Sequence, residues 1–340
     1  MSDLLQNEIT LYKITQIDDE LKNRENKRAV VDLVEKYKEN YFALRLLINR
    51  SIVVLYQGKR SKDMGDIVSL WISYLNRKSK EYPYAMEAMR QNFVDLAYQF
   101  MHAPKVEDRP FAIGAFNDSL RTSDDLESHF QYVTMNYAAW NQFINQYRTM
   151  VSQGTIAKES WTFIHVVRDI MMAKKPLEAD DYEEAAKKIE GISDTHLGVG
   201  MKYLLLGYIY HKQLQLTYEG FKYDKSLAEK THKAYLFAID GAIHNDRIQA
   251  TALQNLGLLH LELRNFTLAA EFYQQRSTFG YAAVDEEFSL GWLKAKAMYL
   301  SNRSLDAYTA LNSLLAKNPT DKVPFQEKAA FYAWNAGKYE

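Results

Sequence analysis

The stretch covering residues 250–276, ATALQNLGLLHLELRNFTLAAEFYQQR, constrains this chain more than any other. Leu253, Leu256, Gly257 and His260 recur at three- and four-residue spacing, and Ala269 and Tyr273 follow beyond Asn265 and Phe266. That is helical spacing on both sides of a short turn. The rest of the chain agrees: with 14 Gly and 6 Pro in 340 residues, it reads as helices joined by short turns. Apolar residues at 47% and charged residues at 25% fit a globular class.

The pattern resembles the tetratricopeptide repeat (TPR) signature, aromatic-x2-Leu-Gly-x2-Tyr followed by Ala-x3-aromatic on two antiparallel helices. On that resemblance Gly257 sits where helix A meets helix B too closely for a larger side chain. Ala269 is then its small partner on helix B, and Asn265 and Phe266 close the turn. Tyr203, Leu206, Gly207 and Tyr210 match the helix A signature in full. Upstream, residues 181–185 with Ile189 resemble the start of a helix B. Residues 213–224 look inserted ahead of a helix B around Ala234 and Ala238, since Gly207 and Gly257 lie 50 apart, 16 more than one period. Ala295 is the next equivalent small residue, in a repeat with Ala307, Leu311 and Pro319, and Ala330 follows 35 further on.

The resemblance covers about residues 160–340. It implies an all-α fold, a right-handed α-solenoid of antiparallel helix pairs. Two regions are expected: degenerate helical hairpins over 1–160 and TPR-like repeats over 161–340. The last residues stand where a helix B should begin, so the final repeat reads as incomplete. Either the sequence is a fragment of a longer protein or something else covers the exposed apolar face.

In the first region, residues 3–23 carry Leu4, Leu11, Ile14 and Leu21 at amphipathic helical spacing. Further helices are expected within 29–57 and over 82–102, and Pro104 and Pro110 mark a break. Residues 122–125, Thr-Ser-Asp-Asp, open a helix with a capping pattern. Leu126, Phe130, Val133, Tyr137, Trp140, Ile144 and Tyr147 then recur along one face, read as a core stripe. Another helix follows, and Pro176 ends it.

A formal net charge of −1 gives no global field to draw in nucleic acid or anionic membrane. The cluster Lys59, Arg60, Lys62, Arg77, Lys78 and Lys80 is the only local basic excess and reads as surface, so no nucleic-acid partner is expected. Without cysteine there is no disulfide, thiolate metal site or Cys nucleophile. No apolar run approaches the length of a membrane span. The N-terminus, MSDLLQNEIT, lacks signal-peptide character. A native start points to the cytoplasm; a removed signal peptide would point to a bacterial cell envelope.

The eight histidines form no HExxH or HxxE pattern, and no phosphate loop or GxSxG elbow occurs. His260 occupies a signature Tyr position and reads as a core residue. Gly198 and Gly200 could begin a GxGxxG loop, but Tyr203 stands at the third glycine. Asp180 and Asp181 fit a helix start, where they offset the dipole. No catalytic residue, metal ligand or cofactor is expected, and the chain reads as no enzyme.

What remains is the groove that the resemblance implies along the helix A row. Counted from each small residue, it selects Leu204, Tyr208, His211 and Lys212; Gln254, Leu258, Leu261 and Glu262; Trp292, Lys296, Tyr299 and Leu300; and Glu327, Phe331, Trp334 and Asn335. Aromatic and apolar residues dominate. Leu258 where carboxylate-clamping TPR domains want Asn disfavours that class. The implied role is a non-catalytic scaffold or adaptor docking a peptide or partner helix. The alternative is a TPR-type regulator sensing a peptide or small ligand.

Overall fold

A computed structural model describes residues 51, 93–94, 115–116, 119–120, 124–136, 140–154, 156–242, 245–280, 284–317 and 323–338. Two compact units divide the chain, Met1–Asp124 and Asp125–Glu340. In the first unit Ser51, Phe93, Val94, Ala115, Phe116, Ser119 and Leu120 are helical and buried. The amphipathic segment 3–23, the rest of the helices expected up to residue 102 and the basic cluster lie outside the described residues.

Among the described residues the second unit contains eleven helices and no strand. They are α1 (Leu126–Asn136), α2 (Trp140–Ser152), α3 (Lys158–Met171), α4 (Ala179–Glu190), α5 (Val199–Gln215), α6 (Lys225–Asp240), α7 (Asp246–Glu262), α8 (Phe266–Arg276), α9 (Val284–Leu300), α10 (Ser304–Ala316) and α11 (Val323–Asn335). None of these is long and apolar enough to cross a membrane.

Short polar side chains set where the helices start. The Asp125 carboxylate accepts from the Ser128 backbone N–H at 2.9 Å and its hydroxyl at 2.7 Å. Asp224 and Asn245 accept from the N–H groups of Leu227 and Ile248, three residues into α6 and α7. Glu178 and Asp181 form a reciprocal capping box at α4. Each cap satisfies donors that the first turn cannot. The stretch read as one long aromatic helix holds both α1 and α2. Leu126, Val133, Trp140 and Tyr147 are buried as a core stripe should be, with Tyr132 and Trp140 ringing Tyr147 at 5.1 and 5.9 Å.

From α3 onward each helix packs on its neighbours in sequence, and α5 also packs on α7. Close approaches fall at helix glycines. A Cβ on Gly207 would lie 2.5 Å from the Tyr235 ring, and one on Gly257 2.8 Å from the Tyr273 ring. A third contact brings Gly291 against Leu314, also at 2.5 Å. At each, the nearest atoms belong to a large side chain on the next helix; at Gly257 they are those of the Tyr273 ring, and Ala269 on the same helix is fully buried. In the third hairpin Gly291 makes such an approach one turn before Ala295, which is itself fully buried.

Between α5 and α6 the residues expected as an insertion form a turn with a single bridge between Glu219 and Lys222. Tyr218 and Tyr223 pack it onto Leu214, Ala228 and Leu259. The α4–α5 connection is held by Lys202. Its buried ammonium donates to the Ile192 carbonyl at 2.5 Å, the Glu190 carbonyl at 3.4 Å and the Asp194 carboxylate at 2.6 Å. A cation at the end of α4 also offsets its dipole. One apolar cluster then runs through α8, α9 and α10 into Ala329 and Tyr332 of α11.

Candidate partner-binding face

The residues selected from sequence lie on α5, α7, α9 and α11, and the structure sorts them into three groups. The first forms a closed polar network. His211 is only 5% exposed. Its Nε2 lies 2.8 Å from Glu262 Oε2, and its Nδ1 3.3 Å from the Tyr235 hydroxyl. Glu262 also accepts from the Tyr218 hydroxyl at 3.1 Å and the Gln215 amide at 3.0 Å. Burial pushes the Glu262 carboxyl up, but the bonds from His211, Tyr218 and Gln215 outweigh it, and the net shift is downward. The network ties α5, the inserted turn, α6 and α7 together. His211 and Glu262 thus spend their polar atoms inside the molecule.

A second group is half-buried. Leu204, Lys212, Gln254, Leu258, Leu261, Trp292 and Tyr299 all fall here. Leu261, Trp292 and Tyr299 pack against the cluster that joins α8 to α11. Tyr299 stacks on Tyr332 at 4.5 Å and Trp292 on the same ring at 6.4 Å, while Phe325 meets Trp292 edge-on at 5.9 Å. These aromatics seat α11.

The third group faces solvent: Tyr208 at 40% exposure, Phe331 at 49%, Trp334 at 68%, and Lys296, Leu300, Glu327 and Asn335. Lys212 lies over the Tyr208 ring at 5.6 Å and reaches the Gln215 side chain at 3.3 Å. Phe331 touches Tyr299 at 5.4 Å, and Lys328 stands over it at 5.9 Å. Phe331 and Trp334, one turn apart, continue from Tyr299, itself one turn from Lys296. Together they make an aromatic strip open to water, next to a cation.

Sequence reasoning missed Tyr332, Gln215, Tyr218 and Lys202. Tyr332 lies between two selected positions of α11 and had no signal beyond its aromaticity. Gln215 and Tyr218 belong to the inserted segment, for which the repeat pattern gives no register.

Other chemistry-bearing residues have structural partners. His260 is buried, as expected of a core residue. Its Nε2 lies 3.0 Å from His232 Nδ1, and its ring stacks on Phe272 at 5.4 Å. Burial first, and then the neighbouring His232, bring the His260 imidazole down to about 4. Gly198 adopts φ 92° at the start of α5, and a Cβ on Gly200 would lie 2.8 Å from that of Ala242, so both serve the chain's path. Among the described residues no group of three His, Cys, Asp or Glu is placed to hold a metal ion. A cleft of about 210 Å³ opens between α3 and α4, lined by Val166, Ile170, Leu177, Asp169, Asp181 and Glu184 among others. Its acids are engaged: Asp169 by Arg168, Asp181 in the α4 cap and Glu184 by Lys188.

The chain matches no protein-family model and no curated protein.

Proposed function

We propose that the chain is a non-catalytic scaffold or adaptor, built as a TPR-like superhelix, that docks a peptide or partner helix on the face shared by α5, α7, α9 and α11. The carrying observation is the open aromatic strip of Phe331 and Trp334, joined through Tyr299 to Lys296 and Leu300. Large aromatics held on rigid helices make binding anchors, because they bury area at low entropic cost. Tyr208 with Lys212 supplies a second such point on α5. His211 and Glu262 act here as struts that fix α5 against α7, and Trp292 and Tyr299 as the seat of α11. No cofactor enters this function.

Partner capture followed by mass spectrometry tests it, comparing wild type with Phe331→Ala and Tyr208→Ala. Both side chains are exposed enough to be truncated without loss of fold. A partner lost from both variants, with unchanged circular dichroism and melting, is the expected result. Retention of every partner by both variants would remove this face from the function.

A further inference from the structure

His232 on α6 and His260 on α7 meet across the junction of those two helices. His232 Nδ1 lies 3.0 Å from His260 Nε2, with the ring centroids 5.0 Å apart and the planes at 80°. Phe272 of α8 backs the pair, stacked on His260 at 5.4 Å and edge-on to His232 at 6.0 Å. The packing therefore holds both rings with one nitrogen of each turned to the other. Two imidazole lone pairs so close repel unless a proton or a cation stands between them. Burial holds both imidazoles below their ordinary pKa, so both are neutral at neutral pH, the form in which histidine binds metals. His260 is only 6% exposed, whereas His232 is half-buried and reaches solvent. Glu229, one turn before His232 on α6, puts a negative charge beside the pair.

We propose that His232 Nδ1 and His260 Nε2 chelate one divalent transition-metal ion of tetragonal preference, Cu2+ or Ni2+, as a clip between α6 and α7. The distance between the two nitrogens decides the class of ion. Metal–imidazole bonds run about 2.0–2.1 Å, so nitrogens 3.0 Å apart subtend about 90–100° at one ion. A tetrahedral pair with the same bonds stands about 3.3–3.4 Å apart. Right-angle nitrogen donors suit square-planar and tetragonal ions, with water in the remaining positions. On binding, the ion takes the place of the proton that the two facing nitrogens share, and each ring keeps its proton on the outward nitrogen. In His260 that is Nδ1, 3.5 Å from the Asn265 side-chain amide. The amide can turn its oxygen to accept that proton, the outer contact that fixes the tautomer of a ligating histidine. The clip uses no residue of the aromatic strip on α9 and α11 and does not depend on the docking role.

Titration of the tag-free chain with CuCl2 in a weakly coordinating buffer tests this, read by isothermal calorimetry and by electron paramagnetic resonance. One Cu2+ per chain is expected, with a tetragonal spectrum split by two imidazole nitrogens. His232→Gln and His260→Gln should each weaken this binding by about tenfold or more, while His196→Gln leaves it unchanged. His232 is half-buried, so its glutamine variant should keep the wild-type circular dichroism even where His260→Gln disturbs the fold. The ion binds the packed junction and not the separated helices, so Cu2+ should raise the melting temperature of wild type and not that of His232→Gln. Binding to His232→Gln as tight as to wild type overturns the proposal and leaves the two rings sharing only a proton. Loss of binding in His196→Gln with retention in His232→Gln overturns it by placing the ion elsewhere. Tighter binding of Zn2+ than of Cu2+ overturns the tetragonal assignment.

Discussion

Gly207→Ala tests one of the two tightest glycine contacts among the described residues. In an exposed helix this change stabilises by about 1 kcal/mol, because glycine has more backbone freedom to lose. Here the new Cβ would fall 2.5 Å from two atoms of the Tyr235 ring, where ordinary contacts begin near 3.4 Å. The ring must move by nearly an ångström, and it cannot do so freely. Tyr235 is fully buried on α6, and its hydroxyl lies 3.3 Å from His211. Overpacking of this kind costs about 1–3 kcal/mol, and loss of the hydroxyl contact adds about 1 kcal/mol. After the propensity gain is subtracted, net destabilisation of about 1–3 kcal/mol is expected. With an m-value of about 3 kcal/mol per molar, the urea midpoint falls by about 0.3–1 M. Equilibrium unfolding followed by circular dichroism and by fluorescence measures it. Pairing with Tyr235→Leu should recover part of the loss, as the clash goes with the ring. A midpoint above that of wild type would mean that propensity decides and that α5 and α6 are not in such contact.

Other consequences follow from single contacts. The His260 pKa of about 4 lies below the ordinary 6.5 of the unfolded chain, so between those values the unfolded state holds more protons. Stability therefore falls as pH drops from about 6.5 to about 4 and levels off below, by about 1–2 kcal/mol once partial solvation is allowed for; a His260→Phe variant should lose that component when melts are compared across pH. Glu262→Ala leaves His211, Gln215 and Tyr218 without their shared acceptor, costing about 2–3 kcal/mol, and limited proteolysis should cut sooner at Lys222 in the turn that Tyr218 holds; an unchanged cleavage rate would show that the turn is held without the network. Tyr299→Ala removes a ring stacked on Tyr332 and should lower stability by about 2–4 kcal/mol, whereas Trp334→Ala, largely in solvent, should change it by less than about 0.5 kcal/mol; equal losses in thermal melts would mean that Trp334 is covered.

The local code for the helices was written in the sequence. Asp125, Asp224 and Asn245 mark three starts because a short polar side chain must satisfy first-turn donors wherever the chain runs. Gly207 and Gly257 likewise announced close approaches, since an apolar helix keeps a glycine inside it for a packing reason. What they approach was not legible. Tyr235 and Tyr273 fill those gaps because their helices cross there, a matter of crossing angle and not of spacing along the chain. The same limit placed the third contact at Gly291, where Leu314 arrives, one turn from the alanine that the repeat register indicates.

The candidate face divides along the same line. Position on a helix decides which residues can lie on one side, and of the row so chosen Phe331, Trp334 and Tyr208 stand exposed. It could not tell that His211 and Glu262, 51 residues apart, meet at 2.8 Å, or that Tyr332 arrives under Trp292 and Tyr299. Those outcomes depend on contacts between helices distant in sequence. Spacing along the chain fixes the face of a helix because every residue turns it by a constant angle. Whether that face meets solvent, a carboxylate or another ring is set only when the helices pack.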